Sequence, residues 1–284
     1  MLRTLNMLAQ SSGIHVRPQR ANQDLGNVRH SHKDCRGVVF DGHGQEDNIV
    51  AVKAMRIFEE NSEVPIREIV PKIAKETEYH HTSGSTMAFF ETQGDEVEIA
   101  LLGDSRVVIY RPGIGIVFQK ECIGLSDKEE RDRVNSLGSK TEIKQEVWRM
   151  SIDYEVGLPM SRAFGDGRYL AMLSEPSYFR VKIEEGDYVM AFSDGMLEGA
   201  FSQDKKEGVD FFRNGILSIY GEGVSIEEIV EEFERLLKVN ECREDLNVIS
   251  SQMVDYALKR GSTDDTTFLV YKHGKVIIDP AAGP

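Results

Sequence analysis

The chain has 284 residues, 40% of them apolar, which is enough to bury one large core and is read as a single domain over residues 1–284. Its 48 acidic residues outnumber 34 basic ones for a net charge of −14, and no basic stripe supplies the phosphate neutralisation that nucleic-acid binding needs. No apolar run approaches the roughly 20 residues of a membrane span, and Cys35, Cys122 and Cys242 form no CxxC pair, so a membrane protein, a zinc knuckle and a disulfide framework are excluded in favour of a soluble chain in the reducing cytoplasm or nucleus.

Residues 1–23 lack acids and carry Arg3, Arg17 and Arg20, the composition of an organelle presequence, but they run straight into a motif of the folded domain and are read as part of it. A strand is predicted at Gly37–Phe40, then helices at Asn48–Glu60 and Ile66–Tyr79, the second with a kink or late start at Pro71. Strands follow at Thr86–Thr92 and Val97–Leu102 around the turn Gln93-Gly94-Asp95, and at Val107–Tyr110 and Ile116–Gln119 around Pro112-Gly113. After a helix at Asp127–Leu137, strands Tyr178–Ile183 and Asp187–Phe192 flank Glu185-Gly186-Asp187, read as a third hairpin in a meander. Helix Ile226–Val239 has an apolar stripe of Ile226, Ile229, Val230, Phe233, Leu236 and Leu237, opened by a Ser225/Glu228 capping box; helix Asp245–Lys259 and strand Thr266–Tyr271 complete the chain. Hairpins mixed with helices, without regular alternation, point to an α+β layered domain rather than a parallel doubly wound sheet.

Three of these apolar runs end in an aspartate beside a small residue: Phe40-Asp41-Gly42, Gly103-Asp104-Ser105 and Ser193-Asp194-Gly195; Asp264 and Asp265 stand just before the last strand. One such aspartate alone is an ordinary turn residue. Several carboxylates converging at sheet ends repel one another unless a cation lies among them, and oxygen ligands without cysteine or clustered histidine select hard ions, Mg²⁺ or Mn²⁺. The segment Asp41–Asp47 lacks the spacing of a calcium loop, and no P-loop or GxGxxG stretch supports a nucleotide enzyme.

Seven segments, in order, resemble the motif set of the type 2C, or PPM, protein serine/threonine phosphatases: Asn22–Asp24, Asp41–Gly44, Ser83–Thr86, Leu102–Arg106, Leu158–Asp166, Ser193–Gly195 and Gly261–Asp265. The resemblance implies two packed antiparallel β-sheets flanked by helices, and hydrolysis of phosphoseryl and phosphothreonyl side chains by a metal-bridging water at a dinuclear Mg²⁺ or Mn²⁺ site. It implies that Asp41 bridges both metals, that the Gly42 carbonyl binds one, and that Asp194 and Asp264 bind the other, with Asp24 counted in the ligand set. Asp104, with Asp194 and Glu198, corresponds to a weaker third metal. His43 corresponds to the general acid, a role suited to imidazole near neutral pH.

The match has departures. Gln23 stands where the family often has Glu, Asp265 where Asn is commoner, and Gln19 where the phosphate-binding Arg is expected, so Arg20, with Arg17 as fallback, is assigned to the phosphate. Residues 121–156 correspond to a flap beside the cleft, without the usual His-Lys-Pro lead-in; Trp148 lies within it and is read as packing. Phosphoprotein substrates, no nucleic-acid or membrane partner, and a monomer are expected. A family member that has lost turnover would be a phosphoprotein-binding adaptor; the joint presence of Asp41, Asp194 and Asp264 favours the enzyme.

Overall fold

The computed structural model describes residues 8–9, 23–30, 35–44, 48–144, 147–152, 157–197, 224–240, 245–262 and 264–274. In chain order the elements are β1 (Leu8–Ala9), β2 (Asp24–His30), β3 (Cys35–Gly44), α1 (Ile49–Glu60), α2 (Ile66–Thr77), β4 (Ser83–Ser85), β5 (Met87–Gln93), β6 (Glu96–Leu102), β7 (Arg106–Arg111), β8 (Gly115–Gln119), α3 (Lys128–Ser136), β9 (Lys140–Lys144), β10 (Val147–Ser151), β11 (Phe164–Gly165), β12 (Ser177–Lys182), β13 (Tyr188–Phe192), a 3-10 turn (Asp194–Met196), α4 (Ile226–Val239), α5 (Leu246–Lys259) and β14 (Phe268–Lys272).

Two sheets stack face to face. One runs β1-β14-β13-β7-β8; the other runs β11-β4-β3-β5-β6-β12, with β2 also paired to β3, and the ladders of both are antiparallel. The alternation of side chains along each strand explains why the central strands are apolar on both faces. In β3, Val38 and Phe40 pack under α1 and α2 while Cys35 and Val39 meet the opposite sheet. In β13, Val189 and Ala191 face the inter-sheet core while Tyr188, Met190 and Phe192 pack with Ile229, Val230, Phe233 and Leu236 of α4. Each large side chain buried in this way stabilises by about 1.5–3 kcal/mol. The result is the expected α+β sandwich with helices on the outer faces.

The α4 cap forms as expected: the Glu228 amide donates to Ser225 Oγ at 3.1 Å and the Ser225 amide donates to Glu228 Oε2 at 3.0 Å. Two local expectations need correction. First, α2 begins at Ile66 and holds Pro71 in its interior, so the helix has no late start. Burial of Ile66, Ile69, Val70 and Ile73 on one face outweighs the amide hydrogen bond that proline cannot give. Second, Glu185-Gly186-Asp187 closes no hairpin. Strand β12 pairs β6 in one sheet and β13 pairs β7 and β14 in the other, so this turn carries the chain between sheets. The strand expected at Thr86–Thr92 forms as Met87–Gln93, β5, and is preceded by a short strand that the periodicity did not show, Ser83–Ser85, which forms β4 on the far end of β3.

Beyond the sandwich, α3 and the β9–β10 hairpin fall within 121–156 and pack around Leu125, Val134, Met150, Tyr169 and Ala171, a separate apolar cluster. The buried Glu130 of α3 ties this region down: Arg133 Nη2 donates to it at 2.7 Å, Ser161 Oγ at 2.8 Å and Arg162 Nε at 3.2 Å. Burial alone would raise the Glu130 pKa, but the Arg133, Arg162 and Ser161 hydrogen bonds hold it down to about 2. The side chain of Trp148 lies outside the described residues.

Candidate metal centre

The β2–β3 register sets Asp24 directly opposite Asp41. The next residue, Gly42, donates its amide to the Gln23 carbonyl at 2.9 Å, and a Cβ there would lie 2.7 Å from that oxygen, so glycine is what lets the two chains pass. Asp104 occupies the turn between β6 and β7. Its neighbour Gly103 has φ +82° and packs on Thr86, whose hydroxyl shares a 2.6 Å hydrogen bond with Ser105. Asp194 opens the 3-10 turn at the end of β13, where the Leu197 amide donates to its carbonyl at 2.7 Å. Strand β3, the β6–β7 turn and the end of β13 therefore aim carboxylates at one place. One oxygen each from Asp41, Asp104 and Asp194 lies within 4.8 Å of the others.

The charge balance shows how tightly these acids crowd. Burial, then the charges of Asp24, Asp194, Asp264 and Asp104, push the Asp41 pKa well above its usual range. Burial is also the largest cause at Asp24, which is fully buried and pushed up to about 7 despite the hydroxyl of Ser193, donating to Asp24 Oδ2 at 2.6 Å, and Asp41; Asp264 and Asp265 add to the rise. The Gln23 amide N–H donates to Asp265 Oδ2 at 2.8 Å, and the Asp265 amide donates to Asp264 Oδ1 at 2.9 Å, so the last acids are stitched to the β2 edge.

A group of like charges at this density is costly unless a cation sits among them. Buried Asp104 Oδ1 accepts no hydrogen bond, which suits an oxygen awaiting a cation. The donor set is oxygen throughout. It fits hard divalent ions, Mg²⁺ or Mn²⁺, better than zinc.

His43 stands two residues past Asp41 on β3, opposite Gly84 of β4. Its Nε2 is 2.6 Å from Oδ2 of Asp166, a residue only 2% exposed. Burial would lower the imidazole pKa, but the Asp166 charge and hydrogen bond, with Asp104 behind them, raise it overall. A cleft of about 320 Å³ opens beside Asp104 and is lined by Arg106, Glu121, Met160 and Arg162 among others.

The fold thus brings Asp41, Asp104 and Asp194 together, with Asp24 and Asp264 near enough to act on Asp41, and Asp104 near enough to act on His43; Gly42 lies between Asp41 and His43 on β3. Arg20, its fallback Arg17, and Glu198 lie outside the described residues. Sequence reasoning missed two contributors, Asp166 and Ser193. Both sit inside motif segments, but nothing in their spacing says that one meets His43 and the other Asp24.

A family model described as Protein phosphatase 2C matches residues 53–266. The rice protein named "Probable protein phosphatase 2C 7" is 25% identical over 292 residues, covering 94% of this chain and 67% of its own length. Among solved structures, a phosphatase from Toxoplasma gondii superposes with a TM-score of 0.68 at 16% identity, covering 96% of each chain. RsbX in complex with magnesium superposes at 0.56 with 11% identity, covering 94% of this chain and 99% of that one.

Proposed function

The chain belongs to the protein phosphatase 2C family, and on that premise we propose that it hydrolyses phosphoseryl and phosphothreonyl side chains of proteins at a dinuclear Mg²⁺ or Mn²⁺ site. The observation that carries this reading is the convergence of Asp41, Asp104 and Asp194 within 4.8 Å, with Asp24 and Asp264 close enough to perturb Asp41. Support for a hard cation comes from the all-oxygen donor set and from the magnesium complex of the structurally similar RsbX.

Asp41 and the Gly42 carbonyl would hold one ion, and Asp41, Asp194 and Asp264 the other, with Asp24 behind Asp41; Asp104, with Asp194 and Glu198, would serve a weaker third. Ions bound there would lower the pKa of water and neutralise phosphoryl oxygens. The chain's own part is to aim these oxygens from strand ends that cannot shift independently, since β3, β6 and β13 are each paired on both sides. His43 would give a proton to the departing seryl or threonyl oxygen, which is a poor leaving group without it. Arg20 is assigned to hold the phosphate through its planar guanidinium. The region 121–156 would act as a flap over one side of the cleft.

A monomer in the cytoplasm or nucleus belongs to the same proposal; the free thiols of Cys35 and Cys122 support the reducing compartment. Among the described residues no helix is long and apolar enough to cross a membrane.

The test is dephosphorylation of a phosphothreonine peptide after chelation, with Mn²⁺ or Mg²⁺ added back. Turnover restored by either metal supports the proposal. Retained phosphopeptide binding without turnover at any metal concentration contradicts it and indicates an adaptor.

A further inference from the structure

Asp166 is placed with unusual constraint. It is the one non-glycine residue with positive φ among the described residues, at +51°, a conformation that costs most L-residues about 1–2 kcal/mol. Its backbone is pinned where that conformation is required: its amide donates to the Ser83 carbonyl at 2.9 Å and its carbonyl accepts from the Tyr169 amide at 2.9 Å. The buried carboxylate then lies over Gly84, and its Oδ2 meets His43 Nε2 at 2.6 Å. A Cβ on Gly84 would stand 2.1 Å from Asp166 Oδ2 and 2.5 Å from His43 Nε2. The bare backbone of β4 is thus the floor on which this pair rests.

We propose that Asp166 is the positioning residue for His43. By accepting the Nε2–H hydrogen bond, it holds the ring so that Nδ1 is the nitrogen turned to the leaving group. This deepens the phosphatase reading and rests on it. In the step assigned to His43, the ester O–P bond breaks as a water oxygen bonds to phosphorus. The ester oxygen takes the Nδ1 proton, and a proton lost by the water restores Nδ1. Asp166 keeps its charge throughout and touches neither substrate nor reacting atoms.

The test compares Asp166→Ala and Asp166→Asn with His43→Ala in the full chain. Asparagine tolerates the left-handed conformation and keeps an acceptor oxygen, so it separates backbone strain from loss of the hydrogen bond. Asp166→Ala is expected to lower kcat on a phosphothreonine peptide by roughly 10- to 100-fold with KM little changed, while an aryl phosphate, whose leaving group needs no proton, loses less than about 3-fold. Asp166→Asn is expected to recover part of the loss. His43→Ala alone and with Asp166→Ala should match, because both remove one function. Equal loss on the two substrates, or losses that multiply in the double variant, would overturn the proposal.

A readout independent of turnover is the imidazole ¹⁵N spectrum, with the His43 signals assigned from His43→Ala. In the neutral ring, observed at high pH, one fixed tautomer with its proton on Nε2 is expected in the wild type, replaced by averaging in Asp166→Ala. Identical spectra would overturn the positioning role. A wild type inactive on both substrates would count against the phosphatase reading, and the spectrum would still decide the positioning role.

Discussion

Asp24 and Asp41 face each other across the β2–β3 ladder, two carboxylates in directly opposed positions of one antiparallel pair. Like charges so placed destabilise a sheet. Asp24 is completely buried and its pKa is pushed to about 7, first by burial and then by Asp264 and Asp265; Asp41 is raised as well, again chiefly by burial.

Stability without metal should therefore fall as pH rises. In the folded chain Asp24 holds its proton up to about pH 7, whereas in the unfolded chain it releases it near 3.8, so the folded state binds more protons across that window. The raised pKa of His43 acts in the same direction above its unfolded value of 6.5. Thermal melts of the chelated protein are expected to show a lower Tm at about pH 7.5 than at about pH 5.5, with Mn²⁺ raising Tm more at the higher pH. A chelated protein that grows more stable over this range would contradict the charge balance described.

The bare floor under His43 can be tested directly. Gly84→Ala would push a methyl against the far ends of two side chains, His43 and Asp166, which can swing aside without unfolding the sheet. Phosphopeptide turnover is expected to drop by at least about 10-fold, with Mn²⁺ affinity by calorimetry changed by less than about 3-fold. Wild-type turnover in this variant would show that the geometry of the pair does not matter.

Glu130 couples the region 121–156 to the segment that ends in Asp166. Glu130→Gln would leave Arg133 and Arg162 without a charged partner, at a cost of roughly 2–3 kcal/mol, below the usual range for buried pairs because both arginines keep some contact with water. Because the folded Glu130 pKa of about 2 lies below the ordinary 4.5, this stabilisation is present above pH 4.5 and is lost as pH falls toward 2. Faster amide exchange in α3 at neutral pH, and a smaller difference from wild type near pH 3, are expected. Equal exchange in the two proteins at neutral pH would contradict the anchoring role.

Much of the architecture could be read from periodicity, because the sandwich buries both faces of its central strands and leaves strong apolar runs such as Tyr188–Phe192. The turn at Glu185–Asp187 misled because local turn chemistry is the same whether the next strand pairs with its neighbour or crosses to another sheet. Strand β2 went unread because Asp24–His30 has little alternation; it forms because β3 offers it a complete ladder from Asp24↔Asp41 to His30↔Cys35. The acids of the site were legible as strand-end aspartates. Ser193 and Asp166 were not, since their partners Asp24 and His43 are 169 and 123 residues away along the chain.

The most direct measurement pairs Mn²⁺ calorimetry with phosphothreonine-peptide turnover in wild type and Asp194→Asn, a substitution that removes one charge from the cluster and keeps the shape of the side chain. Wild type is expected to bind Mn²⁺ and turn over. The variant is expected to keep its fold while losing at least about 10-fold in metal affinity and about 100-fold in turnover. An Asp194→Asn protein that binds Mn²⁺ and hydrolyses the peptide as well as wild type would contradict the claim that these converging aspartates are the metal centre of a phosphatase.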